Sequence, residues 1–230
     1  MKIFYVPTTG PEDWQKHLAL PEKQWRKGYS ARTLAYCWES AQDFPPEVKK
    51  VFAESNNPTL HDLTLLLAIP EHKVILPPRS GHPSQNDLFV LAKAGDGNNV
   101  SITVEGKVSE SFGERLDRWN KEKSKGKIKR LNFIMDQLGL KDGIPPHVRY
   151  QLLHRTVSAV LEANRFNALY AVMFIHSFSQ EDRGFDDYKA FLELFGVLSA
   201  SKGFLYHLTE TQGIQLFSGW VKGNDKYLEM

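Results

Sequence analysis

Residues 86–107 read NDLFVLAKAGDGNNVSITVEGK, two β-type runs around a cluster of Gly, Asn and Asp. In the second run, alternation puts Val100, Ile102 and Val104 on one face and Ser101, Thr103, Glu105 and Lys107 on the other. The intervening AGDGNN is hairpin material. With the tip centred between Asp96 and Gly97, residue 87 pairs with residue 106; a half-residue shift makes the partner Glu105 or Lys107. Directly opposed residues have Cβ atoms about 4.5–5.5 Å apart, so Asp87, Glu105 and Lys107 converge, although a bulge at the tip would turn Asp87 to the other face. Charges are uncommon in apolar strands unless they are paired or bound to metal. Two readings follow: a cross-strand salt bridge of Lys107, or a hard-oxygen site suited to Mg2+ or Mn2+ with a lysine beside it.

Working outward, YSARTLAYCWESA has Leu34, Cys37, Trp38 and Ala41 at helical spacing, with Ser30 available as N-cap. A second short helix, PEVKKVFAES, follows Pro45. LTLLLAIPEHKVIL reads as strand interrupted by a turn at Pro70-Glu71, and its leading HDLTLLLA is equally open to a helical reading. Helical character dominates from about residue 113 to 164, with breaks near Gly126, Gly143 and Pro145-Pro146. ALYAVMFIHSF, from Ala168, is the continuous apolar run of a strand covered on both faces. FDDYKAFLELFGVL is an amphipathic helix, and the closing GFLYHLTETQGIQLFSGWVKG is a hairpin turning at Thr211–Gly213. This order predicts one domain over residues 1–230, a mixed sheet flanked by helices of the α/β or α+β class.

The net charge of +2 names no partner, but its distribution is uneven. Arg115 to Arg130 carries eight Lys or Arg against two acids, which leaves the rest of the chain net acidic. Such a cluster is either the electrostatic footprint of a nucleic-acid site, through Arg115, Arg118, Lys121, Lys123 and Lys125, or a solvated helix end. The single cysteine, Cys37, excludes an internal disulfide and a Cys-rich zinc site, and the helical spacing makes it a core residue. The eight histidines include no H-x-x-x-H or H-x-H pair, and His176 reads as a strand-end residue. MKIFYVPTTGPEDW breaks into Pro, Gly and acids too early for a signal peptide, and no apolar run approaches the ~20 residues of a membrane span, so a cytoplasmic location is expected.

An acid near the start of one strand, a hairpin and E-x-K on the next resemble the PD-(D/E)XK nuclease superfamily, whose core runs helix, three-stranded meander, helix, strand. The resemblance spans about residues 30–178 and leaves the C-terminal helix and hairpin, 184–222, outside it. It implies a restriction-endonuclease-like α/β fold and metal-dependent hydrolysis of phosphodiesters in DNA or RNA. By the same resemblance Asp87 and Glu105 hold Mg2+ or Mn2+ and Lys107 assists the attacking water. Some members carry Q-x-x-x-Y on the helix after E-x-K; Gln151 fits the Gln, and Arg155 stands where the Tyr would be. Asn86 replaces the proline that often precedes the first acid. A carboxylate on the first helix would be Glu39, which by itself reads as an exposed helical acid. The alternative is a catalytically inactive binding or regulatory module on the same fold, its three charges a residual salt-bridge cluster. The stretches YSARTLAYCWE, PSQND and VEGKV also resemble a group of uncharacterised bacterial proteins, which adds no mechanism.

Overall fold

The computed structural model describes residues 4–6, 8–79 and 81–230, so part of the N-terminal stretch weighed as a leader lies outside the described residues. Strands β1 (Thr64–Val74), β2 (Ser84–Lys93) and β3 (Asn99–Lys107) form an antiparallel meander. β4 (Ala168–Ser177) then lies parallel to β3. The closing hairpin, β5 (Leu205–Thr211) and β6 (Ile214–Lys222), places β6 parallel to β4 and leaves β5 at the far edge. The result is one open mixed sheet in the order β1-β2-β3-β4-β6-β5.

The helices, in chain order, are α1 (Pro21–Gln24), α2 (Ser30–Ser40), α3 (Pro46–Ala53), α4 (Leu116–Trp119), α5 (Lys125–Leu138), α6 (Tyr150–Arg165) and α7 (Phe185–Leu192). Leu34 and Trp38 of α2 and Val48 and Phe52 of α3 pack with Val90, Ile102 and Phe174 on one face of the sheet. Ile134 of α5, Leu152 and Val157 of α6 and Phe191 of α7 pack with Met173, Ile175 and Trp220 on the other. The fold is therefore α/β, with helices on both faces, as the order of elements predicts. None of the described helices is long and apolar enough to cross a membrane.

Four local expectations are corrected. β1 runs without interruption through Pro70 and Glu71, and HDLTLLLA contributes strand, not helix. Pro70 is tolerated because β1 is an edge strand, where one ladder hydrogen bond is dispensable, while Glu71 takes a left-handed φ of 53°. Ser30 is the first residue of α2 rather than its cap; its N–H donates to the Glu110 carboxylate at 2.9 Å. Gly126 lies inside the first turn of α5, where the Ser124 side chain accepts from Lys127 N, and Gly139, left-handed at φ 68°, ends that helix. Glu39 is buried, not exposed, and accepts from Trp14 Nε1 at 3.0 Å.

β6 and β4 approach closely because Gly219 faces Phe174. A Cβ there would lie 2.6 Å from the Phe174 ring and 3.2 Å from the Phe204 carbonyl oxygen. Gly219→Ala should therefore lower stability by about 1–3 kcal/mol through overpacking. Urea unfolding measures this, and an unchanged midpoint would contradict the packing described.

Candidate functional site

The β2–β3 register decides which side chains meet. Leu88 stands opposite Val104 and Lys93 opposite Asn99, so the hairpin is centred on Asp96 and one further step puts Asp87 opposite Glu105. The half-residue shift relative to the centre between Asp96 and Gly97 follows from the tip. There Gly97 is left-handed at φ 83° and the Asp96 carboxylate accepts from Asn98 N at 3.0 Å. Ser101 and Thr103 turn the same face of β3 toward α6, donating to the Ala159 and Arg155 carbonyls at 2.8 and 3.1 Å. Two residues of strand advance about 6.7 Å and four residues of helix about 6 Å, so the next step along each element brings Glu105 to Gln151.

Glu105 is buried, and three donors hold its carboxylate. Lys107 Nζ and Gln151 Nε2 donate to Oε1 at 2.8 and 2.7 Å, and Arg155 Nε donates to Oε2 at 2.5 Å. Arg155 continues through Nη1 to Ser84 Oγ at 3.1 Å. Asp87 accepts from Gly106 N on Oδ2 at 2.8 Å, the one hydrogen bond of its side chain among the described residues. Glu71 accepts from Gln85 on Oε2 at 2.7 Å, likewise the one hydrogen bond of its side chain among the described residues. Glu71, Gln85, Asp87, Glu105, Lys107, Gln151 and Arg155 line a cleft of about 420 Å³ whose other walls include Tyr29 and Ser30 of the α2 start and Glu110.

The charges in this cleft are unequal. Burial raises the pKa of Glu105, but the charges of Arg155 and Lys107 and their hydrogen bonds outweigh it and keep that carboxyl below its ordinary value. Asp87 is pushed up to about 7, by burial first and by the charge of Glu105 second. Glu71 is raised well above its ordinary range by burial and then by Asp87. Crowded carboxylates with open oxygens are relieved by a cation, and Asp87 Oδ1 is the available ligand atom. Glu105 shares its oxygens with Lys107, Gln151 and Arg155, and no group of three His, Cys, Asp or Glu able to hold a metal is found among the described residues. Mg2+ or Mn2+ would need only one or two carboxylates here, with water and substrate oxygens completing the shell.

A family model described as a domain of unknown function (DUF6946) matches residues 7–225. The chain belongs to the DUF6946 family. No curated protein and no solved structure matches it.

In this DUF6946 chain, Asp87, Glu105, Lys107 and Gln151 meet in the one cleft. Arg115, Arg118, Lys121, Lys123 and Lys125 do not line it; they are exposed and make no ion pair among the described residues. Leu116 N donates to the Val148 carbonyl and Tyr150 N to the Glu114 carbonyl, so the stretch begins against the turn that carries Gln151. Arg130, at its other end, is structural: the guanidinium donates to the carbonyls of Leu76, Pro77, Pro78 and His82. His176 faces the opposite side of the sheet, buried, accepting from Trp38 Nε1 at 3.2 Å; burial takes its pKa down to about 3. Cys37 is buried in the core, as its spacing predicts. Sequence reasoning missed Glu71, read as turn, and the role of Arg155. The helical i, i+4 spacing from Gln151 was the available signal for Arg155.

The Asp87 shift gives a signed pH dependence. The folded protein keeps the Asp87 proton up to about pH 7, whereas the unfolded chain releases it near 3.8, so the group costs stability increasingly between these values. Asp87→Asn should stabilise the fold above pH 7, by about 1–3 kcal/mol after solvent screening, and so raise the melting temperature there. The gain should vanish below pH 3.8. Thermal melts across that range measure it; a gain independent of pH would contradict the assignment.

Proposed function

We propose that this protein is a restriction-endonuclease-like, metal-dependent nuclease that hydrolyses phosphodiester bonds of nucleic acid. The observation that carries the reading is the meeting of Glu105 and Lys107 with Asp87 and Gln151 in one cleft at the end of β2 and β3. The order of helix α2, an antiparallel three-strand meander, helix α6 and a parallel fourth strand supports it, because this is the core that a PD-(D/E)XK protein requires. The unpaired basic side chains from Arg115 to Lys125, beginning beside α6, supply the backbone charge complement.

Mg2+ or Mn2+ would be held by Asp87 Oδ1 with Glu105, and when bound supplies Lewis acidity toward the scissile phosphate. Lys107 Nζ, fixed by Glu105 and set 5.0 Å from the Phe112 ring centroid, donates to the attacking water or to charge developing on the phosphate. Gln151 Oε1 is a buried acceptor with no partner among the described residues, and so is placed to orient that water by accepting its proton. Arg155 keeps Glu105 ionised. One observation favours a second reading: the Arg155 guanidinium occupies Glu105 Oε2, where it competes with a cation. On that reading the chain is a nucleic-acid binding or regulatory module.

Single-turnover cleavage of mixed DNA and RNA with Mn2+ separates the two. Lys107→Ala should still bind Mn2+ and nucleic acid but cleave about 10²–10⁴ times more slowly. A wild type that cuts none of these substrates while calorimetry shows Mn2+ bound would establish the binding module instead. Independently, replacing Lys121, Lys123 and Lys125 with Ala should flatten the log–log salt dependence of binding by about 0.7–0.9 per lost phosphate contact. An unchanged slope would make the stretch a solvated surface.

A further inference from the structure

A second groove, of about 400 Å³, lies behind the carboxylate cleft, between Leu76, Pro78 and residues 81–84 on one side and the starts of α5 and α6 on the other. This is within the roughly 300–1,000 Å³ of small-molecule sites. One wall is aromatic. Trp119 stacks on Tyr150 with centroids 3.8 Å apart at 12°, and Tyr150 meets the His154 ring at 4.8 Å. The Tyr150 hydroxyl is buried with no hydrogen bond of good geometry, the Arg130 guanidinium standing beside it. Lys127 Nζ sits at the rim, 5.8 Å from the Trp119 ring centroid, tied otherwise only to the exposed Glu122 at 3.4 Å.

The groove is joined to the cleft by one chain of hydrogen bonds. Glu105 accepts from Arg155, and Arg155 Nη1 donates to Ser84 Oγ. Ser84 Oγ lies 2.8 Å from His154 Nδ1 and 3.4 Å from the His154 carbonyl oxygen. Burial, then the charges of Arg155, Arg130 and Lys107, hold the His154 pKa well below its ordinary value. The groove thus combines an aromatic platform and a rim cation.

We infer that this groove is a nucleotide subsite: it takes one unpaired nucleotide of the strand, its base on the Trp119 face turned away from Tyr150 and a phosphate on Lys127. This rests on the nuclease reading for its place beside the cleft, and it selects unpaired over duplex nucleic acid as substrate. Stacking is tolerant of base identity because every base has a π-face, so recognition of single strands follows without sequence preference.

Calorimetric titration of the full chain with AMP, adenosine and ribose 5-phosphate tests it. AMP should bind more tightly than either fragment. Trp119→Leu, which keeps apolar cover but removes the platform, should weaken AMP roughly 5–150-fold, the factor equivalent to the stacking of one base. Lys127→Ala, at the rim, should bring AMP to the affinity of adenosine, and melting curves identify any variant that fails to fold. No saturable AMP binding through the millimolar range, equal affinities of AMP and ribose 5-phosphate, or unchanged AMP affinity in both folded variants would each overturn the subsite. The same variants in the cleavage assay keep the two readings apart. AMP binding lost in Trp119→Leu, with a wild type that cuts nothing, leaves the subsite standing without the nuclease. A wild type that cuts, with AMP affinity untouched by either substitution, does the reverse.

Discussion

Strand and helix advance at different rates per residue, and the site depends on a step at which they agree. Two residues of β3 match four residues of α6, so Ser101, Thr103 and Glu105 meet Ala159, Arg155 and Gln151 in turn. The two hydroxyl residues are short enough for the helix backbone to lie directly on the strand, and their hydrogen bonds set the axial position of α6. A slip of one residue in β3 would carry Glu105 to the opposite face of the sheet, away from Lys107, Gln151 and Arg155. The buried carboxylate and the helix that covers it are thus one structural decision.

That carboxylate is also where energetic cost concentrates. Burying a charge is unfavourable unless donors replace its water, and removing one partner of a buried pair typically costs about 3–5 kcal/mol. Glu105 has three donors, two of them cations; Asp87, on the opposed residue, has one backbone N–H and an open oxygen. The two acids therefore do different things at neutral pH. Glu105 is a fixed anion that organises cations, while Asp87 is the group whose charge state responds to its surroundings. An arrangement that separates neighbouring carboxyls in this way is characteristic of sites that bind or react, rather than of surface ion pairs.

Much of this was legible in the chain. The alternation of Val100, Ile102 and Val104 with Ser101, Thr103 and Glu105 marked both faces of β3, and the Gly-rich cluster marked the hairpin. The meeting of Asp87 with Glu105 was one of three pairings open to it, because half a residue of register depends on the backbone of Asp96 and Gly97 rather than on composition. Glu71 was hidden by Pro70, which signals a turn in isolation and is harmless on an edge strand, and being an edge is a property of the whole sheet. The same holds for β6. Its residues announce a hairpin, but its insertion beside β4 is fixed by Gly219 meeting Phe174, a contact between residues 45 positions apart. Arg155 was visible by spacing, yet its role required knowing that Ser84 lay on its far side.

The backbone at Pro70 and Glu71 has a further consequence. An exposed sheet edge is a template onto which another chain can add a strand, the first step of runaway self-association. On β1 a proline that donates no N–H is followed by a residue with left-handed φ, and Phe4 and Tyr5 lie along the stretch at Ala68. The pleat an incoming strand would need is broken midway along this edge. The distortion that turns Glu71 toward the cleft thereby also guards the sheet against edge-to-edge growth, so restoring a regular backbone there would trade a carboxylate in the cleft for a liability to aggregate.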